Sequence, residues 1–142
     1  VVSSRIVYHD VYCGEGYEFG QVQGLPLYFP CNEKLFECAT HLDTDTTIYG
    51  GLICSGDKFI SEPGTLYNIK EDWPDGLAVD MESGAIAQTC YLYDVPFLSF
   101  RIISDTPGVE QHLEQYANFW ESMACASFGV TKTFLENLPN EL

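Results

Sequence analysis

Basic residues are scarce in this chain of 142 residues. Lys and Arg together number 6 against 21 Asp and Glu, which leaves a formal net charge of −15 at pH 7. A protein this acidic is repelled by phosphate backbones and by anionic lipid surfaces. No apolar run in the sequence approaches the roughly 20 residues of a membrane-spanning helix. The composition therefore excludes nucleic-acid binding and membrane association as the main activity.

Paired cysteines and metal-binding motifs are also missing. The 6 cysteines form no CxxC or CxxxxC pair, and several stand in apolar stretches, where a free thiol behaves as a small hydrophobic group. We expect reduced, buried cysteines of a cytoplasmic protein rather than a disulfide framework or a metal site. The 3 histidines show no HExxH-like pairing, so each is expected to lie at the surface or to be hydrogen-bonded rather than to bind a metal.

What the chain does contain is enough apolar material for a core. Hydrophobic residues make up 46% and aromatic residues 14% of the sequence. A chain of this length buries roughly two-thirds of its unfolded surface, so we expect one domain over residues 1–142. Predicted strands alternate with predicted helices along the chain, which is typical of an α/β fold.

The pattern of apolar residues predicts where these elements lie. Strands are predicted over Val1–Val7, Thr46–Ser55, Leu77–Val79 and Pro96–Ile103. The last of these is apolar except for Ser99 and Arg101, as in a central strand covered on both faces. Helices are predicted after the cap residue Asn32, over Met81–Tyr93, and in a C-terminal segment where Leu113, Tyr116, Trp120, Met123 and Ala124 recur at helical spacing. Glu62–Trp73 is predicted to be a short helix or a turn. The stretch Val11–Pro30 is predicted to be a long ordered loop.

Three acidic residues follow predicted strands. Asp80 and Glu82 come after one strand and Asp105 after another. Ligands of open α/β sheets bind outside the carboxyl ends of the strands, so these acids are better site candidates than acids on helix faces. The alternative is structural: Asp80 and Glu82 cap a helix, and Asp105 caps a helix or closes a turn. Spacing alone favours that alternative.

Four segments together resemble the 5′-methylthioadenosine/S-adenosylhomocysteine nucleosidases of the nucleoside phosphorylase superfamily. They are Val1–Asp10 with the GYEFGQ run at 16–21, GLICSGDKFI at 51–60, AVDMESGAIAQ at 78–88, and VPF at 95–97 leading to RIISD at 101–105. The resemblance covers nearly the whole chain. It implies a three-layer α/β sandwich with a central mixed sheet flanked by helices.

The resemblance also implies a reaction and a set of site residues. Asp105 would be the general acid that protonates adenine N7, and Ser104 would orient it. Glu82 would bind the ribose hydroxyls with Met81 packed under the sugar. Phe59 would stack on the base, and the Ile60 backbone would read the edge of the base. The implied reaction is hydrolysis of the N-glycosidic bond with release of adenine, without metal or cofactor.

The same resemblance implies a homodimer formed through the Val11–Pro26 loop region and a small nucleoside as the ligand. Family members carry, ahead of the first strand of this chain, a segment with the Glu that activates the hydrolytic water. No motif assigns that role to a residue here, so we expect this chain to be a C-terminal portion of such a nucleosidase. Two alternatives remain open: a purine nucleoside phosphorylase, and a non-catalytic remnant that binds nucleosides.

Overall fold

β-Branched residues open the chain and form a strand, as their propensity predicts. The computed structural model places this strand, β1, at Val2–Tyr8. It describes the backbone of residues 1–142 and the side chains of residues 1–111, 114–119 and 128–142. The other elements are β2 (Phe29–Pro30), α1 (Glu33–Thr40), β3 (Gly50–Ser55), α2 (Pro63–Asp72), β4 (Gly76–Asp80), α3 (Ser83–Leu92) and α4 (His112–Glu136).

The strands form one mixed sheet in the order β2-β1-β3-β4. The β1–β3 and β3–β4 pairs are parallel, whereas β1 and β2 are antiparallel. Neighbouring residues of a strand face opposite sides of the sheet. Accordingly, Ile53 packs in a cluster with Ala87 of α3, and Cys54 packs in another with Ile69 of α2. Helices therefore lie on both faces of the sheet, which confirms the expected three-layer α/β fold.

Most predicted elements are present with small changes of boundary. Asn32 caps α1 as predicted, because its side chain accepts a hydrogen bond from the Leu35 backbone N–H at 3.0 Å. β3 begins only at Gly50, four residues later than predicted. In the predicted long loop, residues 11–28 belong to no helix or strand. Phe19 of this loop stacks on Trp73 with ring centroids 5.4 Å apart, so the loop is packed against the core.

The predicted C-terminal helix is observed as α4. Its residue Phe134 packs edge-on against Phe100, with ring centroids 4.8 Å apart. The side chains of Leu113, Trp120, Met123 and Ala124, which belong to the predicted apolar face, lie outside the described residues. No helix in the described part of the chain is both long enough and apolar enough to cross a membrane.

The cysteines are only partly as expected. Cys31 and Cys54 are buried, and burial raises the pKa of Cys54 to about 12, so this thiol stays protonated. Cys13, by contrast, is exposed, and Cys38 and Cys90 are half-buried. All five of these are free thiols, and the side chain of Cys125 lies outside the described residues.

The prediction of a central strand over Pro96–Ile103 is wrong. The segment is irregular, and its only bridge to a described strand is an isolated antiparallel one between Phe100 and Val2. The reason is that the Ser99 N–H donates to the Ser3 hydroxyl, at 2.8 Å, instead of to a backbone carbonyl. Ile103 is 47% exposed, so the end of the segment is not covered on both faces either.

A chain of buried polar side chains links this segment to the sheet. Ser83 Oγ lies 2.7 Å from Ser99 Oγ, and Ser83 also donates to the Asp80 carboxylate. The Ser3 hydroxyl accepts a hydrogen bond from the Ser99 N–H and lies 2.9 Å from the Cys31 thiol. Burying a polar group lowers the stability of the fold unless the group is hydrogen-bonded, and here each side chain forms a hydrogen bond with its neighbour. We refer to Asp80, Ser83, Ser99 and Ser3 as the buried polar chain.

Asp80 holds a charge at the end of this chain. Its side chain is 6% exposed and forms an ion pair with Arg101. Burial by itself raises the pKa of the Asp80 carboxyl, but hydrogen bonds from Ser83 and Ser55 and the charge of Arg101 outweigh burial. The pKa of Asp80 therefore lies below its ordinary value, and the carboxylate is ionised at neutral pH.

We predict that Gly84→Ala destabilises the protein by about 1–3 kcal/mol, the usual range for overpacking a core. A Cβ at Gly84 would lie 2.5 Å from the Tyr8 ring and 3.0 Å from Ser55 Cβ. Gly64→Ala is the matched control, because Gly64 is likewise the second residue of its helix but meets nothing within 4 Å. Urea unfolding measures both, and equal effects of the two changes would contradict the close approach.

We also predict that Asp80→Asn lowers the free energy of unfolding at pH 7 by about 2 kcal/mol, the range for hydrogen bonds to a charged group. Because the folded pKa is lowered, the stabilisation is fully present above the unfolded value near 4 and is lost as pH falls through the folded pKa. The difference between wild type and variant should therefore shrink below about pH 4.

Asp75→Asn provides the control for this experiment. Asp75 also pairs with an arginine, Arg5, but its side chain is 55% exposed. Surface ion pairs contribute about 0–1 kcal/mol. Urea unfolding from pH 3 to 7 should show a small change for Asp75→Asn, and an equally small change for Asp80→Asn would disprove the role of the buried charge.

Candidate active site

A groove of about 580 Å³ opens at the carboxyl end of β4. Its walls come from the loop that follows β3, the residues that follow β4, the segment 101–107 and parts of α2 and α4. All six site residues expected from the resemblance line it: Phe59, Ile60, Met81, Glu82, Ser104 and Asp105. The structure therefore brings together residues that are up to 46 positions apart in the chain, from Phe59 to Asp105.

Asp105 lies in the turn between the irregular segment 96–103 and α4. It is half-buried, and its Oδ1 accepts a hydrogen bond from Ser104 Oγ at 2.6 Å. Both residues of this hydrogen bond line the groove. A partly exposed carboxyl in such a position can exchange a proton with a ligand in the groove.

Glu82 and Met81 follow β4 and face the groove. Glu82 occupies the N-cap position of α3, but its side chain makes no capping hydrogen bond and is 65% exposed. Asp80 makes that bond instead, accepting from the Ser83 N–H at 3.2 Å. The capping alternative is thus right for Asp80 and wrong for Glu82, whose carboxylate remains available to a ligand.

The loop after β3 supplies an aromatic surface. Phe59 is 58% exposed, and the edge-to-face contact with Tyr116 of α4 places the ring centroids 5.8 Å apart. Aromatic rings prefer stacked or edge-on partners, and an exposed ring beside a groove suits a flat heterocycle. Ile60 lies next to it along the chain and also lines the groove.

Arg101 is the site residue that sequence reasoning missed. Its Nε donates to the Asp80 carboxylate, and its Nη2 lies 3.5 Å from Glu82 Oε2. The guanidinium therefore joins a buried acid to an exposed one at the rim of the groove. The signal in the sequence was a single charged residue within an otherwise apolar run. Such an arginine belongs to a site only if acidic partners lie near it in the fold, and the sequence alone did not show these partners.

The formal charges of the side chains that line the groove balance. Its cations are Lys58, Lys70 and Arg101, and its carboxylates are Asp80, Glu82 and Asp105. Arg101 pairs with acids, and Lys70 donates to the Gly76 carbonyl at 2.9 Å. Among the residues whose side chains are described, no cluster of His, Cys, Asp and Glu is arranged to hold a metal ion. The arrangement therefore suits an uncharged polar ligand with a flat ring.

Comparison with known proteins agrees with this picture. The model of the phosphorylase superfamily matches residues 1–136. A 5′-methylthioadenosine/S-adenosylhomocysteine nucleosidase of Anoxybacillus flavithermus is 34% identical over 143 aligned positions, covering 97% of this chain and 61% of the relative.

Two solved structures are similar in fold as well as in sequence. An S-adenosylhomocysteine nucleosidase of Streptococcus pyogenes in complex with 5-methylthiotubericidin has a TM-score of 0.88 and 35% identity, with 97% of this chain and 59% of that one covered. A methylthioadenosine/S-adenosylhomocysteine nucleosidase of Colwellia psychrerythraea in complex with adenine has a TM-score of 0.87 and 29% identity, with coverage of 99% and 60%.

The chain thus spans about 60% of the length of these relatives. The match to the superfamily runs from the first strand into the end of α4 and includes every element that forms the groove. On this evidence the chain belongs to the phosphorylase superfamily.

Proposed function

We propose that this chain carries the adenine- and ribose-binding part of a 5′-methylthioadenosine/S-adenosylhomocysteine nucleosidase, which hydrolyses the N-glycosidic bond and releases adenine. The observation that carries the proposal is the convergence of Asp105, Glu82 and the exposed Phe59 ring on one groove. Support comes from relatives at 29–35% identity that are named as such nucleosidases, one with adenine and one with a nucleoside analogue bound.

The chemistry asks for two acidic groups with different tasks. Breaking an N-glycosidic bond builds positive charge on the ribose and negative charge on the departing base. A proton delivered to the base helps it to leave, and a carboxylate beside the sugar stabilises the positive transition state. We assign the first task to Asp105, protonating adenine N7, and the second to Glu82, which also accepts hydrogen bonds from the ribose hydroxyls.

The neighbours of these acids suit supporting roles. Ser104 orients Asp105 through its 2.6 Å hydrogen bond. Met81, 42% exposed beside Glu82, offers an apolar surface for the underside of the sugar. Phe59 stacks on the base, and the Ile60 backbone reads its edge. Asp80 takes no part in contact with substrate in this proposal, because its carboxylate is already bound by Ser83 and Arg101.

Activation of the hydrolytic water needs a further base. The carboxylates that line the groove are Asp80, Glu82 and Asp105. Glu82 and Asp105 have other tasks in this proposal, and the Asp80 carboxylate is bound by Ser83 and Arg101. We therefore propose that the water-activating carboxylate comes from a segment other than the described residues of the groove. In this proposal the chain supplies the general acid, and another segment supplies the general base.

A homodimer remains part of the proposal. The Val11–Pro26 region would supply the contact, and it presents two aromatic side chains for this purpose: Tyr12 is 67% exposed and Phe19 is 44% exposed. Large apolar side chains at a surface are typical of contact sites between proteins. Sedimentation or light scattering measures the state of the protein directly.

Phosphorolysis is distinguished from hydrolysis by one assay. A phosphorylase requires phosphate as the attacking group, whereas a nucleosidase uses water. Adenine release from methylthioadenosine should therefore be independent of added phosphate. A strict dependence on phosphate would replace the proposed hydrolysis by phosphorolysis at the same site, and absence of turnover with retained adenine binding would favour a nucleoside-binding protein.

We predict that Asp105→Asn keeps nucleoside binding but lowers kcat for methylthioadenosine by about 10²–10⁴-fold, the usual loss of general-acid help. The assay uses protein that contains the water-activating carboxylate. A nitrophenyl riboside, whose leaving group departs without protonation, should lose much less. Asp45→Asn, an exposed acid outside the groove, is the control. Equal losses with both substrates would show that Asp105 has a structural role.

For Glu82→Gln we predict a loss of roughly 10²–10³-fold in kcat, because a carboxylate that stabilises the positive transition state is removed, while the urea unfolding midpoint changes little. Glu62→Gln is the matched control: Glu62 also precedes a helix as its N-cap without a capping hydrogen bond, but it does not line the groove. Wild-type turnover of Glu82→Gln would remove Glu82 from the proposed site.

A further inference from the structure

The turn at the end of β3 sets the position of the aromatic ring in the groove. Gly56 begins a loop, residues 56–60, that carries Phe59 and Ile60 to the groove wall. The Gly56 N–H donates to the Asp80 carbonyl at 3.1 Å, which ties one side of the turn to β4. The other side of the turn faces the end of β1, and the two residues found there are not used by the proposed reaction.

Asp10 and His9 lie against this other side of the turn and form hydrogen bonds with it. Asp10 Oδ2 accepts a hydrogen bond from the Asp57 backbone N–H at 2.7 Å. The backbone N–H of His9 donates to the Ser55 carbonyl at 2.9 Å. A short hydrogen bond to a carboxylate is among the stronger contacts that a loop can make, so Asp10 restrains the loop at its second residue.

The two side chains also explain why residue 56 is a glycine. A Cβ at Gly56 would lie 2.5 Å from His9 Nε2 and 2.7 Å from Asp10 Cγ. No atom is accommodated at such distances without a shift of its neighbours. His9 and Asp10 therefore pack directly against the backbone of the turn, in the space that a side chain would fill.

His9 departs from the expectation of a surface or hydrogen-bonded histidine. It is 6% exposed, and its Nε2 has no hydrogen-bond partner among the described residues. Burial lowers the pKa of His9, and the charge of Lys58 acts in the same direction. The carboxylates of Asp10 and Asp80 oppose this without reversing it. A neutral imidazole therefore packs against Gly56.

We propose that Asp10, supported by His9, is a positioning residue that holds the 56–60 loop so that Phe59 and Ile60 face Asp105 across the groove. Asp10 acts through the Asp57 N–H and the Gly56 backbone and does not itself line the groove. The effect on a purine ligand rests on the proposed function, whereas the effect on the loop does not.

The first test is amide hydrogen exchange of the 142-residue chain without ligand. Asp10→Ala removes the acceptor of the Asp57 N–H, so exchange at Asp57 should rise about tenfold while the strands keep their protection. Asp10→Asn keeps an acceptor oxygen and should fall between Asp10→Ala and wild type. Asp43→Ala, an exposed acid in another loop, is the charge-matched control. Unchanged exchange in Asp10→Ala, or loss of protection throughout the sheet, would overturn the proposal.

Gly56→Ala provides a second variant, because its Cβ must displace His9 and Asp10. It should raise exchange at the same amide, that of Asp57, even though the side chains of His9 and Asp10 are both retained. Wild-type exchange in Gly56→Ala would show that His9 and Asp10 do not restrain the turn, and would contradict the proposal independently of any substitution at Asp10.

The second readout is adenine affinity, measured by calorimetry. Asp10→Ala should raise Kd for adenine, or KM for methylthioadenosine in active protein, by about tenfold. Its kcat should change less than about twofold, since Asp105 and Glu82 are untouched. A tenfold fall of kcat with unchanged KM would contradict a positioning role. If wild-type protein binds no adenine, the proposed function fails, while the exchange result still decides whether Asp10 holds the loop.

Discussion

The groove depends on how one buried charge is neutralised. Asp80 is nearly inaccessible to water and ionised, and its partners come from separate parts of the chain: Ser83 at the start of α3, and Arg101 from the irregular segment. Removing one partner of a buried ion pair leaves an uncompensated charge, which is far more costly than losing a surface contact. These elements therefore cannot move independently, and the groove walls that they carry keep one arrangement.

The same constraint separates the acids of the groove by task. Asp80 is saturated by its partners and serves as a structural anchor. Glu82 Oε2 lies 3.5 Å from Nη2 of the same guanidinium, and the Glu82 side chain remains largely exposed. Asp105 lies on another segment and receives a hydroxyl from its own neighbour, Ser104. Asp80 and Glu82 would otherwise repel each other, and the positive charge of Arg101 between them offsets this repulsion.

The elements that local sequence could predict are those decided by local physics. The Asn32 cap, the strand β1 and the helices α2 and α3 follow from side-chain propensities and spacing within a few residues. Phe59, Glu82 and Asp105 were expected together because of the family resemblance, and all three line the groove. The strand-end argument is right for Glu82, which follows β4 at the carboxyl edge of the parallel strands, but not for Asp105, whose predicted strand is absent.

What could not be predicted depends on partners distant in sequence. Pro96–Ile103 has the composition of a buried strand, yet a serine hydroxyl 96 residues away takes the Ser99 N–H. Asp80 rather than Glu82 caps α3, and Asp80 also binds Arg101, 21 residues further along the chain. His9 lies buried because the turn at Gly56 leaves room for it. In each case a tertiary contact overrides the local preference.

The contact between Ser3 and Ser99 has a consequence for the order of folding. Residues 1–80 contain every strand of the sheet, so β1, β3 and β4 can pair before residue 99 has left the ribosome. Contacts of such long sequence separation form late, because closing the intervening loop costs entropy before any contact is gained. A sheet that pairs first would contain Asp80 without Arg101, so the groove is complete only once the segment 96–103 has docked on β1.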